Sequence, residues 1–146
     1  MIKIILTIAL SFFVSACDQS KDANTQTYAV ERVIDGDTFV ADGVTIRLWG
    51  IDAPEKDEDA SFASKLYLTT LLSQGEVDCK FKHQDRYKRD VMQCFVDGHD
   101  IASDIVRFGM GRDYEAYSKG HYQFDETFAK KNKHGIWANS ASEEEI

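Results

Sequence analysis

Proline is nearly absent from this chain of 146 residues, with Pro54 the single one. That excludes a proline-rich linker or polyproline architecture, and makes the one rigid position worth locating. Long apolar runs are missing too: the longest, Ile4 to Val14, falls short of the roughly 20 residues that span a bilayer. Three cysteines are too few for a disulfide-built scaffold. None sits in a C-x-x-C redox or zinc-knuckle spacing. The four histidines, His83, His99, His121 and His134, form no zinc-spaced pair and read as surface residues. Basic charge is in deficit, with 17 Lys and Arg against 25 Asp and Glu for a net charge of -8. A deficit of this size weakens long-range attraction of polyanions but leaves room for a local basic patch. No internal repeat or second domain is visible.

What is present suffices for one domain. Hydrophobic residues make up 43 % and aromatics 12 %, enough for one core and too much for disorder. Lys3 followed by the apolar run fits a secretory leader, residues 1–16. It ends in Val14-Ser15-Ala16-Cys17, small residues before a cysteine, which resembles the bacterial lipobox with Cys17 as the lipidated residue. The polar stretch from Asp18 to Thr27 reads as a flexible tether, so that residues 17–27 link an anchor to the domain. Asp18 resembles an inner-membrane retention signal. The expected location is the bacterial cell envelope, lipid-anchored at the periplasmic face of the inner membrane. Export favours a disulfide between the two remaining cysteines, Cys79 and Cys94, over free thiols. Residues 139–146, with Glu143-Glu144-Glu145, read as an acidic disordered tail.

The domain, residues 28–138, alternates short strands and helices. Tyr28 to Ile34 and Thr38 to Val40 flank the turn signal Asp35-Gly36, and Asp42-Gly43 precedes Val44 to Leu48. In that third strand Val44, Ile46 and Leu48 share one face, and Arg47 lies opposite with Thr45. Ser61 to Leu72 predicts a helix with a broad apolar face including Phe62, Leu66 and Leu68. Val77 to Phe81 and Val91 to Val96 predict two more strands. Asp100 caps a helix carrying Ile101, Ile105 and Phe108 that stops at Gly109. A last helix carries Phe124 and Phe128, ends in Lys130, Lys131 and Lys133, and stops at Gly135. The order predicts an α+β protein, a five-stranded Greek-key β-barrel of the OB-fold type with three helices.

Four pieces carry chemistry: Asp35-Gly36-Asp37-Thr38, Arg47, Asp52-Ala53-Pro54-Glu55 and Asp85-Arg86-Tyr87-Lys88-Arg89. Each alone has an ordinary reading as a turn, a helix start or a solvated face. Together, in this order and spacing, with Gly135-Ile136-Trp137 at the end, they resemble the staphylococcal nuclease family. The likeness covers residues 28 to 137. It implies a calcium-dependent endonuclease that hydrolyses DNA and RNA, favours single-stranded or locally unpaired substrate, acts as a monomer and leaves 3′-phosphate and 5′-hydroxyl ends. The alternative is a non-catalytic OB module that binds nucleic acid or protein at the envelope.

The resemblance also distributes the roles. Asp37, Asp52 and the backbone carbonyl of Ala53 would hold Ca2+, with Asp35 close by, an oxygen set suited to a hard cation. Glu55 would be the general base. Arg47 and Arg89 would clamp the phosphate, because guanidinium forks match its oxygens. Arg86, Tyr87, Lys88 and Tyr117 would contact the substrate. Lys88 replaces the family's usual glycine, so a positive φ there would strain the turn. In the family's barrel Cys79 and Cys94 lie on neighbouring antiparallel strands, within bridging distance.

Overall fold

The computed structural model describes residues 24–55 and 60–138. The leader, Cys17, the acidic block Asp57-Glu58-Asp59 and the acidic tail lie outside the described residues. In chain order the elements are β1 (Thr25–Tyr28), β2 (Val30–Val33), β3 (Thr38–Ala41), β4 (Val44–Leu48), β5 (Ile51–Asp52), α1 (Ser61–Leu72), β6 (Val77–Gln84), β7 (Asp90–Val96), β8 (His99–Asp100), α2 (Ile101–Arg107), β9 (Arg112–Asp113), α3 (Glu115–Ser118) and α4 (Gln123–Lys131), followed by a 3-10 turn at Gly135–Trp137.

The main sheet runs in the order β1-β6-β7-β4-β3-β2, with β8 beside β7. Only Ala29 separates β1 from β2. The first β-segment therefore serves both ends of the sheet, pairing β6 through Thr25–Tyr28 and β3 through Val30–Val33. That sharing curls the sheet into the OB-type barrel. All pairs along this path are antiparallel except β4 with β7, the parallel contact that a Greek-key crossover requires.

The five predicted strands make up most of this frame, and three differences are instructive. The tether was expected to reach Thr27, yet Thr25–Tyr28 is a strand, so the domain begins earlier. Its polar residues hid it: Gln26 and Thr27 are exposed, and the strand is held by its ladder to β6. Strands β5, β8 and β9 have two residues each, too few to show a period, and α3 is a fourth helix of four residues. The helix α1 has the expected bounds but buries Ser64, Leu68 and Leu72. Phe62 and Leu66 sit two positions from that stripe, about 200° round the helix, and are 76 % and 55 % exposed. Phe124 on α4 likewise points outward.

Alternation in β4 holds as expected: Ile46 and Leu48 are buried in the barrel, and Arg47 faces the other way. The barrel is filled by Phe39, Ile46, Leu48, Val77, Met92 and Val96, and closed by Leu68 of α1 with Ile101, Ile105 and Val106 of α2. Each such side chain contributes about 1.5–3 kcal/mol of burial. Asp100 caps α2 through Ala102 N–H at 3.0 Å and also receives the hydroxyl of the buried Tyr122 at 3.1 Å.

Cys79 and Cys94 face one another in the β6–β7 register and are joined as a disulfide inside the core. The bridge closes a loop with a sequence separation of 15, worth on the order of 3 kcal/mol in the chain-entropy account. The double variant Cys79→Ser/Cys94→Ser should lose about that much in urea unfolding. A midpoint unchanged by the substitutions and by reductant would contradict this assignment.

Candidate active site

The loop between β2 and β3 turns one carboxylate inward. The amides of Ile34 and Asp35 both donate to the Thr38 carbonyl, at 2.9 and 3.3 Å, and the Asp35 carboxylate accepts the Asp37 N–H at 3.2 Å. Gly36 between them is pressed on α1 and the chain after β5. A Cβ there would overlap the Ser64 hydroxyl and lie 2.7 Å from Ala53 Cβ. Only glycine lets the loop sit this close.

Asp37 is 3 % exposed. Its Oδ1 accepts from Arg47 Nη1 at 2.5 Å and Thr38 Oγ1 at 2.8 Å, and its Oδ2 accepts the Ala53 N–H at 3.0 Å. Arg47 is delivered by register, since β3 and β4 place it opposite Thr38. Its Nη2 donates to Asp52 Oδ1 at 3.0 Å and to the Ile51 carbonyl at 3.3 Å. One guanidinium thus joins carboxylates from two loops. Burial pushes the Asp37 carboxyl above its ordinary range, against the pull of the Arg47 charge and the Ala53 N–H. Burial works against the Arg47 charge, yet Asp37 and Asp52 hold that guanidinium above its ordinary value.

Asp52 is fixed by the short β5–β9 ladder and backed by Gly50, whose φ of +76° no bulkier residue adopts easily. A Cβ at Gly50 would also meet the Tyr122 ring at 3.0 Å.

The second arginine comes from the turn between β6 and β7. Asp85 organises it: its carboxylate accepts the N–H of Tyr87 at 2.8 Å, the N–H of Arg89 at 3.0 Å and Arg89 Nε at 2.7 Å. Desolvation opposes the Asp85 charge, but those bonds and the Arg89 charge outweigh it and hold the carboxyl below its ordinary value. Lys88 takes φ +62°, the conformation that glycine adopts without cost. Its side chain is exposed.

These pieces meet in two adjoining depressions. The first, about 430 Å³, is lined by Asp35, Asp37, Ala53 and Pro54 together with Arg47, Glu55 and Arg89. The second, about 600 Å³, shares Arg47, Glu55 and Arg89 and adds Arg86, Tyr87 and Tyr117 among its walls. Asp52 and Lys88 line neither. Asp52 bonds the Arg47 guanidinium beside the first depression, and Lys88 is exposed on the turn that carries Arg89. The ring of Tyr87 is flanked by the Arg86 and Arg89 guanidiniums, 5.0 and 5.3 Å from its centroid, so it steadies cations.

Three wall residues were missed: Asp85, Tyr114 and His83. Asp85 was noted as part of a motif but given no role, although a capping aspartate before an arginine turn is a readable signal. His83, taken for a surface residue, lies in the groove because β6 carries a register shift between Phe81 and His83. His134 also differs from expectation, with its Nδ1 3.1 Å from the Arg107 carbonyl.

The acidic side chains lining the first depression are Asp35, Asp37 and Glu55, hard-oxygen donors of the kind that suit calcium or magnesium better than zinc. A buried carboxylate whose ionisation is opposed by desolvation gains from an added cation. Among the described residues, no three Asp, Glu, His or Cys side chains already converge as a cage. The residues fit a site in which water completes the shell.

An OB barrel with two arginines and several carboxylates in one groove defines a class of nuclease-like domain. A family model described as Staphylococcal nuclease homologue matches residues 45–139, and the chain belongs to this family. It is 33 % identical to an uncharacterized endonuclease of Haemophilus influenzae over 147 residues, 94 % of this chain and 80 % of the relative. It is 34 % identical over 117 residues to an uncharacterized endonuclease of Escherichia coli, covering 76 % of each. It is 30 % identical over 138 residues to the thermonuclease of Staphylococcus hyicus, 81 % of this chain and 79 % of that one.

The Asp85 brace makes a specific forecast. A carboxyl lowered in the folded state gives stability that is complete above its ordinary value, near 3.9, and is lost as pH falls through the lowered one. The amide signals of Tyr87 and Arg89 should therefore hold steady at neutral pH and shift together only below about pH 4. Asp85→Ala should show the shifted signals at neutral pH and cost turnover about 10²-fold through a displaced Arg89. Unmoved signals with full turnover would contradict the brace.

Proposed function

We propose that the protein is a calcium-dependent endonuclease cutting phosphodiester bonds in DNA and RNA. The observation that carries this reading is the convergence of Arg47, Glu55 and Arg89 on both depressions, beside Asp35 and Asp37. A diester phosphate seated there receives guanidinium donors, which gain strength as negative charge grows on its oxygens. Glu55, exposed at the shared rim, takes a proton from the attacking water. The water oxygen bonds to phosphorus, the bond to the 5′ oxygen breaks, and that oxygen is protonated as it leaves. The products are 3′-phosphate and 5′-hydroxyl ends. Calcium, when bound, supplies positive charge to the phosphate oxygens, with Asp37, Asp52 and the Ala53 carbonyl as its ligands and Asp35 beside them. Pro54 stiffens the link between the Ala53 carbonyl and Glu55.

The protein acts as a monomer at the bacterial envelope, held at the periplasmic face of the inner membrane by lipid on Cys17, and prefers unpaired strands. Intact mass of the exported form should show a chain beginning at Cys17 with lipid attached, and a mature start elsewhere without lipid would remove the anchor. Purified protein should degrade single-stranded DNA and RNA with added calcium and stop with chelator. Glu55→Gln should lower kcat about 10²–10⁴-fold, the usual worth of a general base, with KM changed only a few-fold. A folded wild type that leaves both substrates intact across a calcium series would sink the enzyme reading. Equal cleavage by Glu55→Gln would assign the activity to a contaminant.

A further inference from the structure

Ser64 is the polar member of the buried stripe of α1, one turn before Leu68 and two before Leu72, and it is 0 % exposed. A serine or threonine inside a helix ordinarily bonds the carbonyl of the preceding turn. Thr69 and Thr70 of the same helix do so, to the Lys65 and Leu66 carbonyls at 2.8 and 3.0 Å. Ser64 does not. Its hydroxyl donates to the Met110 carbonyl, 46 residues along the chain in the link between α2 and β9. Two glycines close the same knot. At Gly36 an added Cβ would overlap the Ser64 hydroxyl and press on Ala53. At Gly111, next to Met110, it would lie 3.2 Å from the Asp52 carbonyl oxygen and 3.7 Å from Ala53 Cα. The Asp52–Ala53 segment therefore rests against both the Gly36 loop and the Met110–Gly111 link, and Ser64 touches the first and holds the second. The Ala53 N–H in turn donates to Asp37 at 3.0 Å.

We infer that Ser64 is a positioning residue for the cation site. Its hydroxyl fixes the spacing of three backbone segments, and through them the Asp37 carboxylate and the Ala53 carbonyl. The inference rests on the reading of those two groups as calcium ligands, and adds what holds them in place. Ser64 lines neither depression, so it acts through the backbone and not on cation or phosphate. Packing alone does not account for a hydroxyl here, because a buried hydroxyl is costly unless bonded and an apolar residue would suit a stripe that only packs. Calcium affinity follows how rigidly the oxygen ligands are held. Groups behind the ligands commonly change metal affinity about 10- to 100-fold when removed. Helix α1 thereby takes part in the site although it carries no ligand.

The test is calcium binding without nucleic acid. Calcium titrated into the folded protein, followed through the amide signals of Asp37 and Ala53, gives Kd. Ser64→Ala should raise Kd about 10-fold. Gly111→Ala, which presses a methyl group toward the Asp52 carbonyl, should raise it too. Leu68→Ala controls for stability. It opens a cavity in the same stripe, so it should lower the urea midpoint at least as far as Ser64→Ala, yet leave Kd within about two-fold. A folded Ser64→Ala with the wild-type Kd, or an equal rise in Leu68→Ala, would overturn the positioning role. Should Ser64→Ala not fold, a wild-type Kd in Gly111→Ala overturns it alone. Hydrolysis measured separately keeps the two readings apart. Wild-type signals that ignore calcium would remove the cation reading and this inference together. A wild type that binds calcium, loses affinity with Ser64→Ala and cuts nothing would keep the positioning role and remove the nuclease.

Discussion

The contact between Arg47 and Asp37 binds a carboxylate that is almost wholly removed from water to a guanidinium on the neighbouring strand. A charge in that position is costly unless paired and fully hydrogen-bonded. Asp37 meets the condition through Arg47, the Thr38 hydroxyl and the Ala53 amide. Each partner belongs to a different constraint: strand register supplies Arg47, the strand start supplies Thr38, and the chain after β5 supplies Ala53. The barrel and the site are consequently one object. The β3–β4 register cannot slip without stranding a buried charge, and the Ala53 segment cannot lift away without uncovering an acceptor.

This arrangement explains the division of labour among the carboxylates. Asp37 carries the burial penalty and still lines the first depression, whereas Asp52 is more than half exposed and Glu55 stands at the shared rim of the groove. A single guanidinium on two carboxylates is also a group whose bonds can be redistributed when an anion arrives. The net charge of -8 does not oppose such a role, because Arg86 and Arg89 concentrate positive charge where the groove opens. Lys88 keeps the positive φ of the turn at a conformational cost of about 1–2 kcal/mol, and the Asp85 hydrogen bonds offset it.

The grouping of Asp37, Arg47, Glu55 and Arg89 was expected from the family resemblance, and the fold brings Arg47, Glu55 and Arg89 to both depressions with Asp37 in the first. Local pattern by itself predicts only the face of Arg47, through the alternation of Val44, Ile46 and Leu48. What was not legible depends on tertiary pairing. Thr25–Tyr28 has no apolar alternation and is a strand only because β6 offers it a ladder. Phe62 and Leu66 are as apolar as Leu68, and only the packing of α1 shows which stripe is covered. His83 was hidden by a one-residue irregularity, since a local pattern cannot show where a strand loses its register.

The Asp37–Arg47 pair joins the stability of the barrel to the chemistry of the groove, and a pair of substitutions separates the two roles. Arg47→Met alone should cost about 3–5 kcal/mol in urea unfolding, because it leaves a buried carboxylate unpaired. Adding Asp37→Asn should recover most of that loss while hydrolysis stays absent. A double variant as unstable as Arg47→Met, or one that is stable and still cleaves nucleic acid at the wild-type rate, would contradict the account.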